Sequence, residues 1–194
     1  MYVNDQSIQI VKAAARMSSE TDEALAWRTT QEVEAFHELY RRYALPVYRY
    51  HVAWKGNAHT AQSLTSQTFF EAFSRLTVYQ LGGLFIKQIF GIARDLRVQH
   101  SLASGDSLRP DTSVGIDCER FMPESEMILQ VDISRFARVI NRLRDDMAEA
   151  FVLRVFAGFD ASKIGLIMVK SDVAVKMLIY QSLCELNRLL YLRN

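Results

Sequence analysis

Apolar side chains recur at three- and four-residue spacing along most of the chain, which is the periodicity of helices that bury one face. Breaks at Gly56-Asn57 and Gly82-Gly83 divide the first half into three such stripes. Pro46 falls inside the first stripe and should kink or split its helix, and Thr60 is a candidate cap for the second. The stripes comprise Phe36, Leu39, Tyr40, Tyr43, Val47, Tyr48 and Val52; then Ala61, Leu64, Thr65, Thr68, Phe69, Ala72, Phe73 and Leu76; then Phe85, Ile89, Ile92, Ala93 and Leu96.

The second half has the same helical period. Asp145 and Asp146 suit the positive N-terminal end of a helix, Val169-Lys170 is a short turn, and Ser171 is a good N-cap for the long helix that follows. Two helices joined by a tight turn, the second of them long, have the order of a helix-turn-helix. A plain helical bundle explains the periodicity equally well. The predicted helices span 131–144, 145–158, 160–168 and 171–192.

A segment without apolar period, 101–127, separates the two halves and holds two of the three prolines in the chain. Such a segment is typical of a linker. The sequence therefore predicts an all-α fold, with two small helical domains at 34–100 and 128–194 joined by a flexible linker. Residues 1–33 form an N-terminal extension, with one short helix predicted around 8–17 and a second one leading into the first domain.

Charge is unevenly distributed although the net charge is only +1. The segment 34–100 has eight basic and four acidic residues, and 128–194 has ten basic and seven acidic. The linker has two basic and six acidic residues. Basic domains suit nucleic-acid phosphates, because each bound cation releases counterions. An excess of this size also occurs in ordinary folded domains, so charge alone leaves both interpretations open.

Enzymatic and metal chemistry find little support in the sequence. The four histidines are scattered without a partner cluster of metal-ligand spacing, and no P-loop, G-x-S-x-G or H-E-x-x-H motif occurs. We therefore expect no catalysis, no metal and no cofactor. Cys118 and Cys184 are too few for a disulfide framework. With no apolar run long enough for a membrane span and no secretory signal at the start, a cytoplasmic protein is expected.

Four segments resemble the sigma factors of the extracytoplasmic-function group, in the sigma-70 family. AFHELYRRYALPVYRY (35–50), TAQSLTSQTFFEAFSRL (60–76) and LFIKQIFGIARDLRVQH (84–100) are similar to their polymerase-binding domain. The segment 143–190 is similar to their promoter-binding helix-turn-helix domain. The resemblance covers about 150 residues in the expected order, and it includes the IAR-D and V-K signatures.

This resemblance implies a protein that directs bacterial RNA polymerase to promoters. Residues 60–76 would dock on the clamp-helix coiled coil of the largest catalytic subunit. The loop 77–84 and the helix 85–100 would capture and melt the minus-ten element. The helix that starts at Ser171 would enter the major groove at the minus-thirty-five element. Core RNA polymerase and promoter DNA are thus the implied partners, and an anti-sigma factor is a further candidate.

Specific residues follow from the resemblance. Four of the candidate DNA contacts also have an alternative interpretation. It is core packing for Phe85, a solvated helix face for Lys87 and Arg97, and an ion pair with a neighbouring acid for Arg94. The candidate polymerase contacts are Gln62, Ser63, Gln67 and Glu71. The candidate DNA contacts are Tyr79, Phe85, Lys87, Arg94, Arg97, Lys170, Ser171, Lys176 and Gln181.

The linker fits the family as well, because in these proteins it runs toward the active-site and RNA-exit path, where negative charge imitates nucleic acid. A merely solvated tether is the alternative. Its acids are Asp106, Asp111, Asp117, Glu119, Glu124 and Glu126.

The docking helix departs from the family pattern. Family members have several acids there, whereas Thr60, Gln62, Ser63 and Gln67 are neutral and Glu71 is the one acid left. Charge complementarity mainly speeds encounter and fixes register. We therefore expect weaker or differently specified binding to polymerase.

The recognition helix departs further, because Lys176 alone keeps a basic charge in the run 173–185. Base readout needs donors at base edges, which leaves Gln181 and Lys176, with Ser171 and Lys170 for phosphates. Apolar residues cover most of the helix, and such a helix is usually buried. Two hypotheses follow. One is a working sigma factor that recognises its upstream element weakly, partly by shape. The other is a degenerate sigma-like interaction module, in which this helix binds another protein or a second copy of the chain. If the helix packs against 36–100, DNA binding would require opening.

Overall fold

The computed structural model describes residues 17–29, 31–79, 84–103 and 130–191, with side chains for all of these except 76–79, 130–133, 135 and 190–191. Within these ranges every regular element is an α-helix, which confirms the predicted all-α class. The described helices are α1 (Asp22–Arg28), α2 (Val33–Lys55), α3 (Ala58–Tyr79), α4 (Phe85–Ala103), α5 (Gln130–Ile140), α6 (Asp145–Val155), α7 (Ala161–Met168) and α8 (Asp172–Tyr191). Residues 104–129, which contain most of the predicted linker and all of its acids, lie outside the described part.

The first group of helices is built around α2. Leu39, Tyr43, Val47 and Tyr50 recur at helical spacing and are all buried. Burying a large apolar side chain stabilises a fold by roughly 1.5–3 kcal/mol, so this stripe determines which face of α2 turns inward. The helix ends at Gly56, which adopts a left-handed backbone with φ of 64° and donates its N–H to the carbonyl of Val52 at 2.8 Å. The helices α3 and α4 pack on α2 and on each other.

One arginine makes several of the contacts that attach the segment 17–28 to this group. Arg42 of α2 donates to the backbone carbonyls of Met17, Ser18 and Glu20, each at 2.9 Å. It also forms an ion pair with Asp22 at 2.7 Å. The end of the predicted N-terminal extension is therefore packed on the first domain, where α1 buries the side chain of Leu25 completely.

In the second group, α8 packs on α5, α6 and α7. The acids Asp145 and Asp146 begin α6 as predicted, and Asp160 caps α7 by accepting from the N–H of Lys163 at 2.8 Å. The Ser171 hydroxyl accepts from the N–H of Ala174 at 3.3 Å, so the predicted N-cap of the long helix is confirmed.

The two groups are in contact. The helices α5 and α6 pack on α2, and α7 packs on α4, so a single apolar cluster runs through both groups. At the closest approach, a Cβ on Gly56 would lie only 2.9 Å from the Cα of Ser134. The long helix α8 packs mainly within the second group, and one of its faces is exposed.

Several predicted boundaries differ from the observed ones. Pro46 does not split its helix, because the buried side chains of Tyr43, Val47 and Tyr50 on both sides hold α2 together. The cap of α3 is Asn57 rather than Thr60, since the Asn57 side-chain oxygen accepts from the Thr60 N–H at 3.1 Å.

The other differences are at helix ends. The helix predicted over 131–144 ends at Ile140, where the side chain of Asn141 donates to the carbonyl of Ala137 at 2.8 Å. The helix predicted to run to 158 ends at Val155. The last helix of the first group continues to Ala103, beyond the predicted domain end at 100.

Candidate functional site

The helix predicted to dock on polymerase, α3, presents one continuous polar and aromatic face. Residues separated by four, three and four positions lie on the same face of a helix, and Ser63, Gln67, Phe70 and Ser74 have this spacing. Gln67, Phe70 and Ser74 are exposed, while Ser63 and its neighbour Gln62 are partly buried. Three of the predicted polymerase contacts are therefore placed at or beside one surface.

Glu71, the fourth predicted contact, already has a partner. Its carboxylate pairs with Arg75 one turn later, at 2.6 Å. Such a pair at the surface adds little stability, but it neutralises the acid. The α3 surface is therefore close to uncharged, as the sequence indicated.

Phe70 is a surface feature that the sequence stripe did not identify. Phe69 is buried, whereas 74% of Phe70 is exposed. The signal was present in the sequence: if Phe69 and Phe73 share the inward stripe, Phe70 must point about 100° away from it. Phe73 is itself half exposed, with its ring 4.9 Å from that of Phe36.

Among the candidates for promoter melting, the aromatic side chain of Phe85 is buried and the cation of Lys87 is exposed. Phe85 is buried, with its ring edge-on to Tyr43 at 5.5 Å, so in this arrangement it belongs to the core. The side chain of Tyr79 lies outside the described part of the chain. Lys87 is exposed on α4, where it faces solvent.

Arg97 lies over an indole ring. Its guanidinium carbon is 3.8 Å from the centre of the Trp54 ring, and its buried Nε has no hydrogen-bond partner within the described residues. A cation over the face of tryptophan is attracted by the ring quadrupole. This contact holds the half-buried guanidinium of α4 against Trp54 of α2.

Arg94 is held by an acid from the other group of helices, which is the alternative that the sequence left open. The Oε1 atom of Glu149 accepts from Arg94 Nη2 at 3.1 Å and from Nε at 3.3 Å. The hydroxyl of Tyr50 donates to the same carboxylate, at 3.1 and 3.2 Å. Burial raises the pKa of Tyr50, and the charge of Glu149 raises it further, so the phenol stays protonated. Burial opposes the charge on Arg94, yet the overall effect, led by Glu149, is a raised pKa.

The turn before α8 is tight. Gly165 has the carbonyl oxygen of Lys170 2.7 Å from where a Cβ would be, and Val169 adopts a left-handed backbone with φ of 56°. Ser162 donates to Asp172 at 2.8 Å and so joins α7 to the start of α8. Lys170, a predicted phosphate contact, pairs with Asp146 at 3.2 Å.

The polar candidates on α8 do not share a face. Lys176 and Gln181 are both exposed, but five residues separate them, which is about 140° around a helix. A row of exposed apolar side chains lies on the same face as Lys176. That row, the α8 apolar face, consists of Val173, Met177, Tyr180 and Leu183. The opposite face buries Val175, Ser182 and Leu186 in the second group.

Other chemistry is not supported by the placed side chains. Across the ranges that the structure describes, no three His, Cys, Asp or Glu side chains cluster so that they could hold a metal ion. No helix in those ranges is both long and apolar enough to cross a bilayer.

Comparison with known proteins gives one relative and a matching fold. No protein-family model matches the chain. Over 162 residues the chain is 30% identical to "ECF RNA polymerase sigma factor BldN" of Streptomyces coelicolor. The match covers 82% of this chain and 61% of the relative, so the chain spans about three fifths of that protein.

Two solved structures are also similar. CnrH in complex with the cytosolic domain of CnrY matches with a TM-score of 0.64 and 18% identity, over 90% of this chain and 100% of that one. The RsbN–BldN complex matches with a TM-score of 0.37 and 28% identity, over 85% of this chain and 98% of that one. By sequence, the chain is thus similar to an extracytoplasmic-function RNA polymerase sigma factor, and its fold is similar to that of CnrH.

Proposed function

We propose that the chain is a sigma factor that directs bacterial RNA polymerase to promoters. The similarity to a named sigma factor over most of this chain is the observation that supports this function best. On this proposal, residues 34–100 bind core polymerase and melt the minus-ten element. Residues 128–194 contact the minus-thirty-five element. A cytoplasmic location follows from that role.

Binding to polymerase is proposed to occur through the exposed face of α3. Because Glu71 is neutralised and its neighbours are uncharged, electrostatic steering contributes little. Interface energy is concentrated in a few aromatic anchors that become fully desolvated. Phe70, with 74% of its surface exposed beside Gln67 and Ser63, is the side chain suited to that role.

Contact with the minus-ten element is proposed for α4 and the residues before it. Lys87 is exposed and can reach phosphates, and Arg97 presents its guanidinium beside Trp54. Cations that line a groove track a nucleic-acid backbone without regard to sequence. Tyr79 and Phe85 are the candidates for stacking, and Phe85 would first have to leave the core.

Contact with the minus-thirty-five element is proposed to be weak. Ser171 and Lys170 would touch phosphates, and Lys176 and Gln181 would contact bases. Because the last two lie on different faces of α8, they cannot both point to base edges of one groove. Most of the promoter specificity is therefore proposed to come from residues 34–100.

The binding test uses the chain, core polymerase and a matched pair of variants. Fluorescence anisotropy of the labelled chain should show tight binding to core polymerase, and Phe70→Ala should weaken it about tenfold or more, as expected for an aromatic anchor. Leu102→Ala is the control, because Leu102 is equally exposed but lies on α4. If the unsubstituted chain does not bind core polymerase even at low salt, the proposed function is wrong.

A second function, a sigma-like interaction module, is favoured by the α8 apolar face. Exposed apolar patches of this kind mark sites of protein association. The partner would be another protein, such as an anti-sigma factor, or a second copy of the chain. CnrH, whose fold is similar, was solved in complex with the cytosolic domain of CnrY.

Sedimentation velocity over a concentration series separates the two functions. Self-association that Tyr180→Lys abolishes, combined with no binding to core polymerase, would establish the second. A monomer that binds polymerase would establish the first. Gln181→Lys, one position away and off the apolar face, is the matched control for the added charge.

A further inference from the structure

Glu149 is a buried carboxylate whose partners all belong to the other group of helices. It lies in the middle of α6, only 5% exposed, among the buried neighbours Ala148 and Ala150. Within the described residues it accepts hydrogen bonds from Tyr50 of α2 and Arg94 of α4. A carboxylate removed from water destabilises a fold unless it is paired and hydrogen-bonded. This position is therefore satisfied only while the two groups are in contact.

Other polar and aromatic contacts join the two groups of helices beside Glu149. Ser134 donates to the carbonyl of Gly56 at 2.8 Å, and Asn141 donates to the carbonyl of Trp54 at 3.3 Å. The rings of Phe90 and Phe159 also meet across the two groups, edge-on at 5.2 Å. These contacts accompany the apolar cluster that both groups share, so the groups are joined by buried apolar side chains as well as by hydrogen bonds.

Arg94 connects this contact to function. A guanidinium binds a carboxylate and a phosphate through the same donors and the same geometry. While Glu149 occupies Nε and Nη2 of Arg94, these donors are not available to a DNA phosphate. The carboxylate and the DNA backbone therefore compete for one side chain.

We propose that Glu149, Tyr50 and Arg94 form a clasp that holds the two groups of helices closed and withholds Arg94 from DNA. Opening of the clasp exposes the surface of α4 that faces the second group. The inference rests on the proposed function as far as DNA is concerned, whereas the closing of the two groups by Glu149 does not depend on it.

A distance measurement tests the clasp without DNA or polymerase. Spin labels at Lys87→Cys and Gln181→Cys, with Cys118 and Cys184 changed to serine, report the separation of the two groups. Glu149→Gln keeps the size of the side chain but removes its charge, and it should shift the distance distribution to longer values. Tyr50→Phe removes one donor and keeps the buried ring, so it should shift the distribution in the same direction. Glu185→Gln, which removes an acid from an exposed pair with Arg188, should leave it unchanged.

DNA binding is the second arm, measured by anisotropy with a short fluorescein-labelled single-stranded DNA at low salt. Glu149→Gln should bind about tenfold more tightly, since affinity scales with the fraction of open molecules. Arg94→Gln should lengthen the distance without any gain in DNA binding, because it breaks the clasp and loses the phosphate contact together.

The two arms fail in different ways. If both Glu149→Gln and Tyr50→Phe stay folded and keep the closed distance, the clasp is wrong. If the distances lengthen but no variant binds DNA, the clasp stands and the proposed function is what fails.

Discussion

The guanidinium of Arg97 lies 3.8 Å from the centre of the Trp54 ring, which places a cation of α4 on an indole of α2. Trp54 is almost fully buried, and its carbonyl also accepts from Asn141 of the second group. The pair therefore lies where α2, α4 and the residue that follows α5 meet, and tryptophan fluorescence can report on it.

Replacing Arg97 should weaken this junction. A desolvated cation–ring contact contributes about 1–2 kcal/mol, so Arg97→Ala should lower the free energy of unfolding by that amount, and Arg97→Lys by less. Urea unfolding followed by Trp54 emission, in a Trp27→Phe background, measures both. An Arg97→Ala variant as stable as the parent would show that the stack contributes nothing.

His51 should make stability depend on pH. Its Nε2 lies 3.1 Å from the Thr68 hydroxyl, which donates its own proton to the Leu64 carbonyl at 2.7 Å. Nε2 must then be the donor, and the buried Nδ1 has no partner within the described residues. Burial, with the nearby charges of Lys55, Arg97 and His100, lowers the pKa of His51 from 6.5 to about 3.

The lowered pKa of His51 determines the direction in which stability changes with pH. Between pH 6.5 and about 3 the unfolded chain binds a proton at His51 that the folded chain does not. Stability is therefore complete above pH 6.5 and falls as the pH drops, by up to about 1.4 kcal/mol per pH unit. Urea unfolding measured at several pH values in this range gives the free energy of unfolding as a function of pH. That free energy should change less steeply with pH for His51→Gln than for the parent. The exposed His59→Gln control should keep the parental slope, and an equal slope for His51→Gln would contradict the assignment.

Gly56 should tolerate a side chain less well than Gly158. Both have a left-handed backbone, with φ of 64° and 79°, so alanine costs about 1–2 kcal/mol at either position. At Gly56 the added Cβ also meets the Cα of Ser134 at 2.9 Å, whereas nothing lies within 4 Å at Gly158. Thermal unfolding should therefore show a larger loss for Gly56→Ala. Equal losses would mean that α5 does not approach α2 this closely.

Replacing Val169 by glycine should make the protein more stable. It is a β-branched residue in left-handed conformation, which is unfavourable, and 71% of its surface is exposed, so little packing is lost on truncation. Val169→Gly should raise the free energy of unfolding by about 1 kcal/mol. Val169→Ala, which keeps a Cβ at the same φ, should change it much less. A loss of stability in the glycine variant would contradict the strain.

Local pattern was sufficient to predict most helices. The stripe of α2, the acids that begin α6 and the cap at Ser171 each depend on neighbours within one or two turns, so the sequence shows them directly. Pro46 misled because the effect of one missing N–H is smaller than the burial of Tyr43 and Val47 around it. The continuity of α2 through Pro46 depends on packing against other helices, and the periodicity of the sequence carries no information about that packing.

Contacts between distant segments were the part that the sequence could not provide. Glu149 meets Tyr50 and Arg94 from 99 and 55 residues away, and neither spacing is periodic. For the same reason the apolar α8 could be expected to be buried, whereas its Met177 and Tyr180 face solvent. Phe70 could have been identified, because only one of two consecutive phenylalanines can point into the core of an amphipathic helix.

Transcription in vitro tests whether the chain directs polymerase to promoters. Core RNA polymerase is incubated with fragmented genomic DNA, with and without the chain, and the 5′ ends of the transcripts are mapped. We expect a set of start sites that appear only with the chain, share a common minus-ten sequence and disappear with Phe70→Ala. Identical start sites with and without the chain, under conditions where a control sigma factor is active, would contradict it.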